Sequence, residues 1–156
     1  MMRSMTLGEL EMPLRAHLMG ADVEFSAVST DSRHIAGGAL FVALAGERFD
    51  AHDFIADVER SGAAAAIVSR DVDAAMSLLR VANTEQALGR LGAYNREQFT
   101  GPLVGITGSS GKTTAKNLIA GVLSQRGKTL ATEGNLNNEI GVPLTLLRLA
   151  PDTEFA

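Results

Sequence analysis

The sequence predicts an α/β fold in two units. A small N-terminal α/β unit spans residues 1–84, and the start of a parallel-sheet unit built on a phosphate-binding loop spans residues 85–156. Two observations predict this. Short apolar runs alternate with helix-period segments on both sides of a boundary near residues 82–85, the pattern of strands and their covering helices. A glycine-rich loop ending in Gly111-Lys112-Thr113 lies between one apolar run and an amphipathic helix.

The loop is the most informative stretch. Leu103, Val104 and Ile106 predict a buried strand, and Gly105, Gly108 and Gly111 interrupt it before Lys112, Thr113 and Thr114 open a helix. Glycines let several backbone N–H groups turn toward one anion, and a helix N-terminus adds a positive dipole end. Lys112 is placed to reach outer phosphates and the Thr113 hydroxyl to hold magnesium. The general pattern has glycine where this chain has Ile106. A plain glycine turn with Lys112 on the surface is the alternative, and the strand–loop–helix context argues against it. In the helix, Ala115, Leu118, Ile119, Val122 and Leu123 fall at i, i+3, i+4, i+7 and i+8, which predicts one buried face ended by Gly127.

Upstream, residues 6–19 predict a helix carrying Leu7, Leu10, Leu14 and Leu18, capped by Thr6 and divided at Pro13. Phe25–Ser29 is a candidate strand, followed by Thr30-Asp31-Ser32-Arg33. Hydroxyls and a guanidinium there suit an oxyanion; a turn in which Asp31 and Ser32 bond their own backbone is the favoured reading on spacing alone. Ala39–Leu44 predicts a central strand, residues 46–50 a loop, Asp53–Ser61 a helix, and Ala63–Ser69 and Leu79–Ala82 two more strands. His52 is read as a cap or surface group in preference to a site residue. Asn83–Phe99 predicts a helix with Ala87, Leu88, Leu91 and Tyr94 inward and a capping box from Asn83 to Gln86.

Residues 128–132 predict a short strand. The segment 133–143 holds Asn135, Asn137, Asn138, Glu133 and Glu139, too polar for a core strand. Its amides donate and accept, and Glu139 suits a metal contact; a polar connecting loop is the alternative. A last helix follows with Ile140, Leu144 and Leu147 inward. Two strands are few for a parallel sheet covered on both faces, so the chain reads as part of a longer protein.

Composition excludes several classes. The 156 residues are 46% apolar and 21% charged, as expected of a packed globular chain. A net charge of −4 without a basic stripe argues against nonspecific nucleic-acid binding. No tryptophan and one tyrosine leave little for base stacking. No cysteine means no disulfide and no thiolate metal site. Glu9 and Glu11 interrupt any signal-peptide core, and no apolar run approaches a membrane span, so a soluble cytoplasmic protein is expected.

Three separated segments together resemble the Mur ligase family: Ser29-Thr30-Asp31-Ser32-Arg33 with GGALFVALAGERFDAHDF after it, Ile106 to Thr114, and GNLNNEIGVPLTLL from Gly134 to Leu147. The resemblance covers nearly the whole chain, and the family's T-G-x-x-G-K-T loop accounts for Ile106. The third segment resembles the member that adds D-alanyl-D-alanine to UDP-N-acetylmuramoyl-tripeptide. The Asp-Ser-Arg motif and the loop also suit the ligase that adds the third peptide residue, which stays as an alternative. So do a non-catalytic nucleotide-binding module and a small kinase or other NTPase.

The resemblance implies an N-terminal UDP-substrate domain followed by the first part of an ATP-binding domain. It implies an ATP-dependent ligase of peptidoglycan precursor synthesis acting through an acyl phosphate, with ATP and magnesium. Its partners would be the UDP-linked peptide and D-alanyl-D-alanine, without nucleic acid or membrane, and the full-length protein would be a monomer. Lys112 and Thr113 would be catalytic, and Thr107, Gly108, Ser109, Ser110, Gly111 and Thr114 would complete the phosphate cradle. Thr30, Ser32 and Arg33, with Glu47, Arg48 and Phe49 as a second contact, would hold the UDP part. Asn137 and Asn138 would touch substrate near the reacting carboxylate, and Glu139 would join Thr113 at magnesium. The family has three domains, so the 156-residue chain alone is expected not to catalyse.

Overall fold

A computed structural model describes residues 2–46, 49–134 and 136–156. Its centre is a five-stranded sheet of order β2-β7-β6-β5-β4. These strands are β2 (His17–Met19), β4 (Val28–Ser29), β5 (Leu40–Val42), β6 (Ala65–Val68) and β7 (Ser77–Arg80). Strands β4 to β7 are mutually parallel, and β2 closes the β7 edge antiparallel. A small ladder of β1 (Met5–Thr6) with β3 (Glu24–Phe25) stands apart.

The apolar runs make central strands because both sheet faces are covered. Leu40, Val42, Ala65, Ile67 and Leu79 point to one side, toward α1 (Leu7–Leu14) and α3 (Thr84–Glu97). Phe41, Ala43, Ala66, Val68 and Leu78 point to the other, toward a 3-10 turn over Ala51–Phe54 and α2 (Ile55–Arg60). A shift of one residue would exchange the two sets, which fixes the register.

Two upstream expectations are corrected. The helix expected over residues 6–19 starts as read, with Thr6 Oγ1 accepting from Glu9 N at 3.4 Å, but ends at Leu14. Pro13 lies in its last turn and Arg15 turns left-handed at φ 53°. Leu18 instead pairs with Leu79, so ladder bonding to an open sheet edge overrides the helical spacing. The candidate strand over residues 25–29 splits, with Phe25 in the small ladder and Val28–Ser29 in the main sheet.

Helix α3 packs on two sides. Asn83 Oδ1 caps it by accepting from Gln86 N at 2.9 Å. Ala87, Leu88 and Leu91 enter the core beneath the sheet. Gly92 and Asn95 instead meet α5 (Gly141–Leu146): Asn95, 2% exposed, donates to the Leu146 carbonyl at 2.9 Å and the Leu149 carbonyl at 3.2 Å. A Cβ on Gly92 would stand 2.8 Å from Pro143 Cα, so the crossing requires glycine. As expected, Ile140, Leu144 and Leu147 face inward.

The second unit departs most from expectation. The strand predicted over residues 103–106 does not form; Leu103 is 37% and Val104 47% exposed. Nor does the one over residues 128–132, which keeps a single parallel bridge, Thr129 to Phe155. A parallel strand is stabilised by neighbours and covering helices, and here the pairing is sparse. Residues 153–156 run between the two segments: Ala156 N donates to Pro102 O at 3.1 Å, Val104 N to Ala156 O at 2.9 Å, and Leu130 N to Phe155 O at 2.8 Å. The predicted face of α4 (Lys112–Leu123) is corrected too. No α4 residue is fully buried; Ala115, Ile119 and Leu123 are half-buried, while Leu118 and Val122 are 66% and 69% exposed.

Gly92→Ala is expected to lower stability by about 1–3 kcal/mol, the usual range for overpacking against backbone. Urea unfolding followed by circular dichroism measures it, and an unchanged midpoint would contradict the close α3–α5 crossing.

Candidate functional site

Strands β4, β5 and β6 run parallel, so the loops after them leave from one edge of the sheet. This carboxyl edge is where open α/β sheets bind ligands. It gathers the loop after Ser29, the loop after Val42 and the segment Ser69–Asp71.

The first loop is a self-bonded turn. Asp31 Oδ1 accepts from Arg33 N at 3.0 Å, and the Arg33 guanidinium forks onto both Asp31 oxygens at 2.9 and 3.0 Å. His34 Nδ1 lies 3.1 Å from Asp31 Oδ2. The Arg33 side-chain bond, its backbone N–H and His34 hold the Asp31 carboxyl well below the usual carboxylate range, and Asp31 raises Arg33 in return. Thr30 and Ser32 are half-buried, and the Arg33 side chain is 81% exposed. The turn reading holds at Asp31, and the Arg33 guanidinium at the sheet edge is exposed but paired with the Asp31 carboxylate.

In the second loop, Ala45 bridges Asp50 and Gly46 N donates to Phe49 O at 2.7 Å. Phe49 is 54% exposed and stacks on Phe54 with centroids 5.0 Å apart. Glu47 and Arg48, expected beside Phe49, lie outside the described residues. His52 is neither the cap nor on the surface. It is buried, and Asp50 caps the 3-10 turn by accepting from His52 N at 3.0 Å. Arg70 Nε donates to Asp50 Oδ2 at 3.1 Å.

The phosphate loop forms the other centre. Gly108 has φ 148° and Gly111, at φ 76°, is the left-handed N-cap of α4. The N–H groups of the first α4 turn have no helical acceptor. Thr107, Gly108, Ser109, Ser110, Gly111, Thr113 and Thr114 are exposed around them. Lys112 folds back so that Nζ donates to the Gly108 carbonyl, and Lys116 Nζ donates to Thr132 O at 2.7 Å. A mainly apolar cavity of about 350 Å³ lies between α4 and the segments 103–106 and 129–132, and Lys112, Thr113 and Asn137 line it. The donor set and the glycine backbone suit a nucleotide's phosphates.

Glu139 and Asn138 stand elsewhere, in an open cleft of about 750 Å³ with Asn83, Glu85 and Gln86. A hydrogen bond with Glu139, then desolvation, pushes the Glu85 carboxyl up. Asn137 lines both cavities. Among the described residues, no three His, Asp or Glu side chains cluster as a metal site.

Two family models match: the Mur ligase family catalytic domain over residues 24–96 and the Mur ligase middle domain over residues 106–156. The chain belongs to the Mur ligase family. The Mur ligase of Escherichia coli K12 named UDP-N-acetylmuramoyl-tripeptide–D-alanyl-D-alanine ligase is 51% identical over 155 residues, 99% of this chain and 34% of that protein. The protein of the same name from Synechocystis is 45% identical over 88% of this chain and 31% of its own. A UDP-N-acetylmuramoylalanyl-D-glutamyl-2,6-diaminopimelate–D-alanyl-D-alanyl ligase from Acinetobacter baumannii superposes with a TM-score of 0.93 at 43% identity, over 99% of this chain and 36% of that one. The MurF ligase of Thermotoga maritima, solved in complex with ADP, superposes with a TM-score of 0.75 at 36% identity, over 83% of this chain and 30% of that one. This Mur ligase chain thus spans about a third of the length of these relatives.

Burial pushes the Asp50 carboxyl up, but the His52 backbone N–H, the His52 ring and Arg70 outweigh it and hold the group down to about 2 from an ordinary 3.8. A depressed carboxylate stabilises the fold fully above its unfolded pKa, and that share is lost as pH falls through the folded value. Melting temperature is therefore expected to fall between about pH 4 and pH 2 by more in the wild-type chain than in Asp50→Asn. Parallel curves for the two would contradict the assignment.

Proposed function

We propose that this chain is the substrate- and nucleotide-engaging part of an ATP-dependent ligase that joins D-alanyl-D-alanine to UDP-N-acetylmuramoyl-tripeptide in peptidoglycan precursor synthesis. The observation that carries the reading is the glycine-capped start of α4 with Lys112 folded over its loop, in one chain with a parallel sheet edge presenting Arg33 and Phe49. The relatives' names supply the substrates. The N-terminal unit, residues 1–84, takes the UDP part through Thr30, Ser32, Arg33 and Phe49, with Glu47 and Arg48. The unit over residues 85–156 takes ATP.

In the reaction, the peptide's terminal carboxylate attacks the γ-phosphorus and ADP leaves. The dipeptide amine then attacks the acyl phosphate carbon, an amide forms, and phosphate departs. Phosphoryl transfer depends chiefly on positioning and charge neutralisation. The α4 N–H groups with residues 107–111 and Thr114 cradle the phosphates, and Lys112 leaves the Gly108 carbonyl to meet the outer ones. Magnesium would supply further charge neutralisation. The Thr113 hydroxyl would hold it, and Glu139, bonded to Glu85 in the second cleft, is the other proposed ligand. Asn137, shared between the two cavities, and Asn138 are the proposed contacts near the reacting carboxylate.

Cytoplasmic location, a full-length monomer, and no membrane or nucleic-acid partner complete the proposal. The net charge of −4 argues against a nonspecific nucleic-acid partner, and among the described residues no helix is long and apolar enough to cross a membrane.

Calorimetric titration tests the reading. The chain is expected to bind UDP-N-acetylmuramoyl-tripeptide, and Arg33→Ala to weaken that binding at least about tenfold, roughly 1.4 kcal/mol. Tight binding of magnesium ATP with none of the UDP compound would contradict it.

A further inference from the structure

Phe49 stands exposed at the sheet edge, at the exit of the loop after β5, beside the Ala45–Asp50 bridge. What anchors it is His52, whose side chain is 1% exposed. Ser69 N donates to His52 Nε2 at 2.9 Å. A backbone N–H can only donate, so Nε2 must carry its lone pair and the proton must sit on Nδ1. Nδ1–H then donates to Asp50 Oδ1 at 2.5 Å. Asp50 is the residue that closes the loop against Ala45, and its second oxygen takes Arg70. Arg70 also bonds Asp53.

The order Ser69–His52–Asp50 imitates a nucleophile relay, but it cannot work as one. Ser69 Oγ stands 3.4 Å from Nε2, and the lone pair that would take its proton already accepts from the Ser69 backbone. The arrangement does something else: it ties the end of β6 to the exit of the loop after β5. The cluster on this face of the sheet, with Ala51, Ile55 and Val58, is otherwise apolar. A buried imidazole with both nitrogens bonded adds direction, because the ring bonds only when Asp50 and Ser69 stand at fixed places.

We propose that His52, held as the Nδ1–H tautomer between Asp50 and the Ser69 backbone, is a positioning residue that fixes Asp50 and the adjoining Phe49 at the sheet edge in the placement that receives the UDP-linked ligand. This rests on the reading of the sheet edge given above. His52 is buried away from the surface and acts through Asp50 on the placement of Phe49.

Two measurements on the 156-residue chain test it. Long-range proton–nitrogen NMR of the histidines, with His52 identified by its loss in His52→Gln, is expected to show a protonated Nδ1 and an unprotonated Nε2 at neutral pH. A protonated Nε2 would overturn the clasp whatever the ligand does. Calorimetry with UDP-N-acetylmuramoyl-tripeptide then reads the consequence, well below each variant's melting temperature. His52→Gln keeps an acceptor toward Ser69 but loses the Asp50 bond, and is expected to bind about tenfold more weakly; His52→Phe loses both and is expected to bind more weakly still. A purely structural histidine would lower melting temperature while folded molecules kept wild-type affinity, and that result would overturn the proposal. Should His52→Phe fail to fold, His52→Gln decides alone. A wild-type chain with the expected tautomer but no affinity would overturn the ligand reading, and the positioning role with it, while leaving the clasp in place.

Discussion

Three parallel strands, β5 to β7, buried on both faces leave the backbone one open place, the ends of the strands. Leu40, Val42, Ala65 and Ile67 fill one side and Phe41, Ala66 and Val68 the other, so neither face has room for a ligand. Polar chemistry is pushed to the carboxyl edge, where the loops after β4, β5 and β6 emerge together. The Asp31–Arg33 turn, the Phe49 loop and the His52 anchor share that edge because the register of the apolar strands puts them there.

The segment after α3 depends on the sheet through that helix. One side of that helix belongs to the sheet's core through Ala87, Leu88 and Leu91, and the other holds α5 through Gly92 and Asn95. The polar segment before α5, with Asn137, Asn138 and Glu139, is thereby placed by the N-terminal core. The phosphate loop has no such support. Its helix buries no residue completely, its apolar stripe is half in solvent, and a cavity separates that stripe from the extended segments 103–106 and 129–132.

Legibility in the sequence followed the same division. Ala39–Leu44 and Ala63–Ser69 were readable as strands because a run buried on both faces is apolar at every position. Asn83 was readable as a cap because its partner lies three residues away. The phosphate loop was readable because glycines and Lys112 are needed at fixed spacing. Pairing across distance was not readable. Leu18 fits a helix by spacing and joins a strand because Leu79 lies beside it. Residues 153–156 carry no strand signal and still thread between two segments. His52 reads as a cap or surface group because its partners are a carboxylate two residues away and a backbone N–H that only the fold brings near. A close pair of Asp50 and His52 was the one available hint; nothing in the sequence points to Ser69.

Native-state amide hydrogen exchange tests the central claim, that the buried sheet and α3 form the stable frame and the phosphate loop is carried on it. Exchange free energies differ between cooperative units of one protein and approach the global stability only in the core. Amides of β5, β6 and the middle of α3 are expected to exchange slowest, at the rate of global unfolding, and those of α4 and residues 103–106 well before them. Equal protection across α4 and β6 would show one cooperative unit and contradict the account.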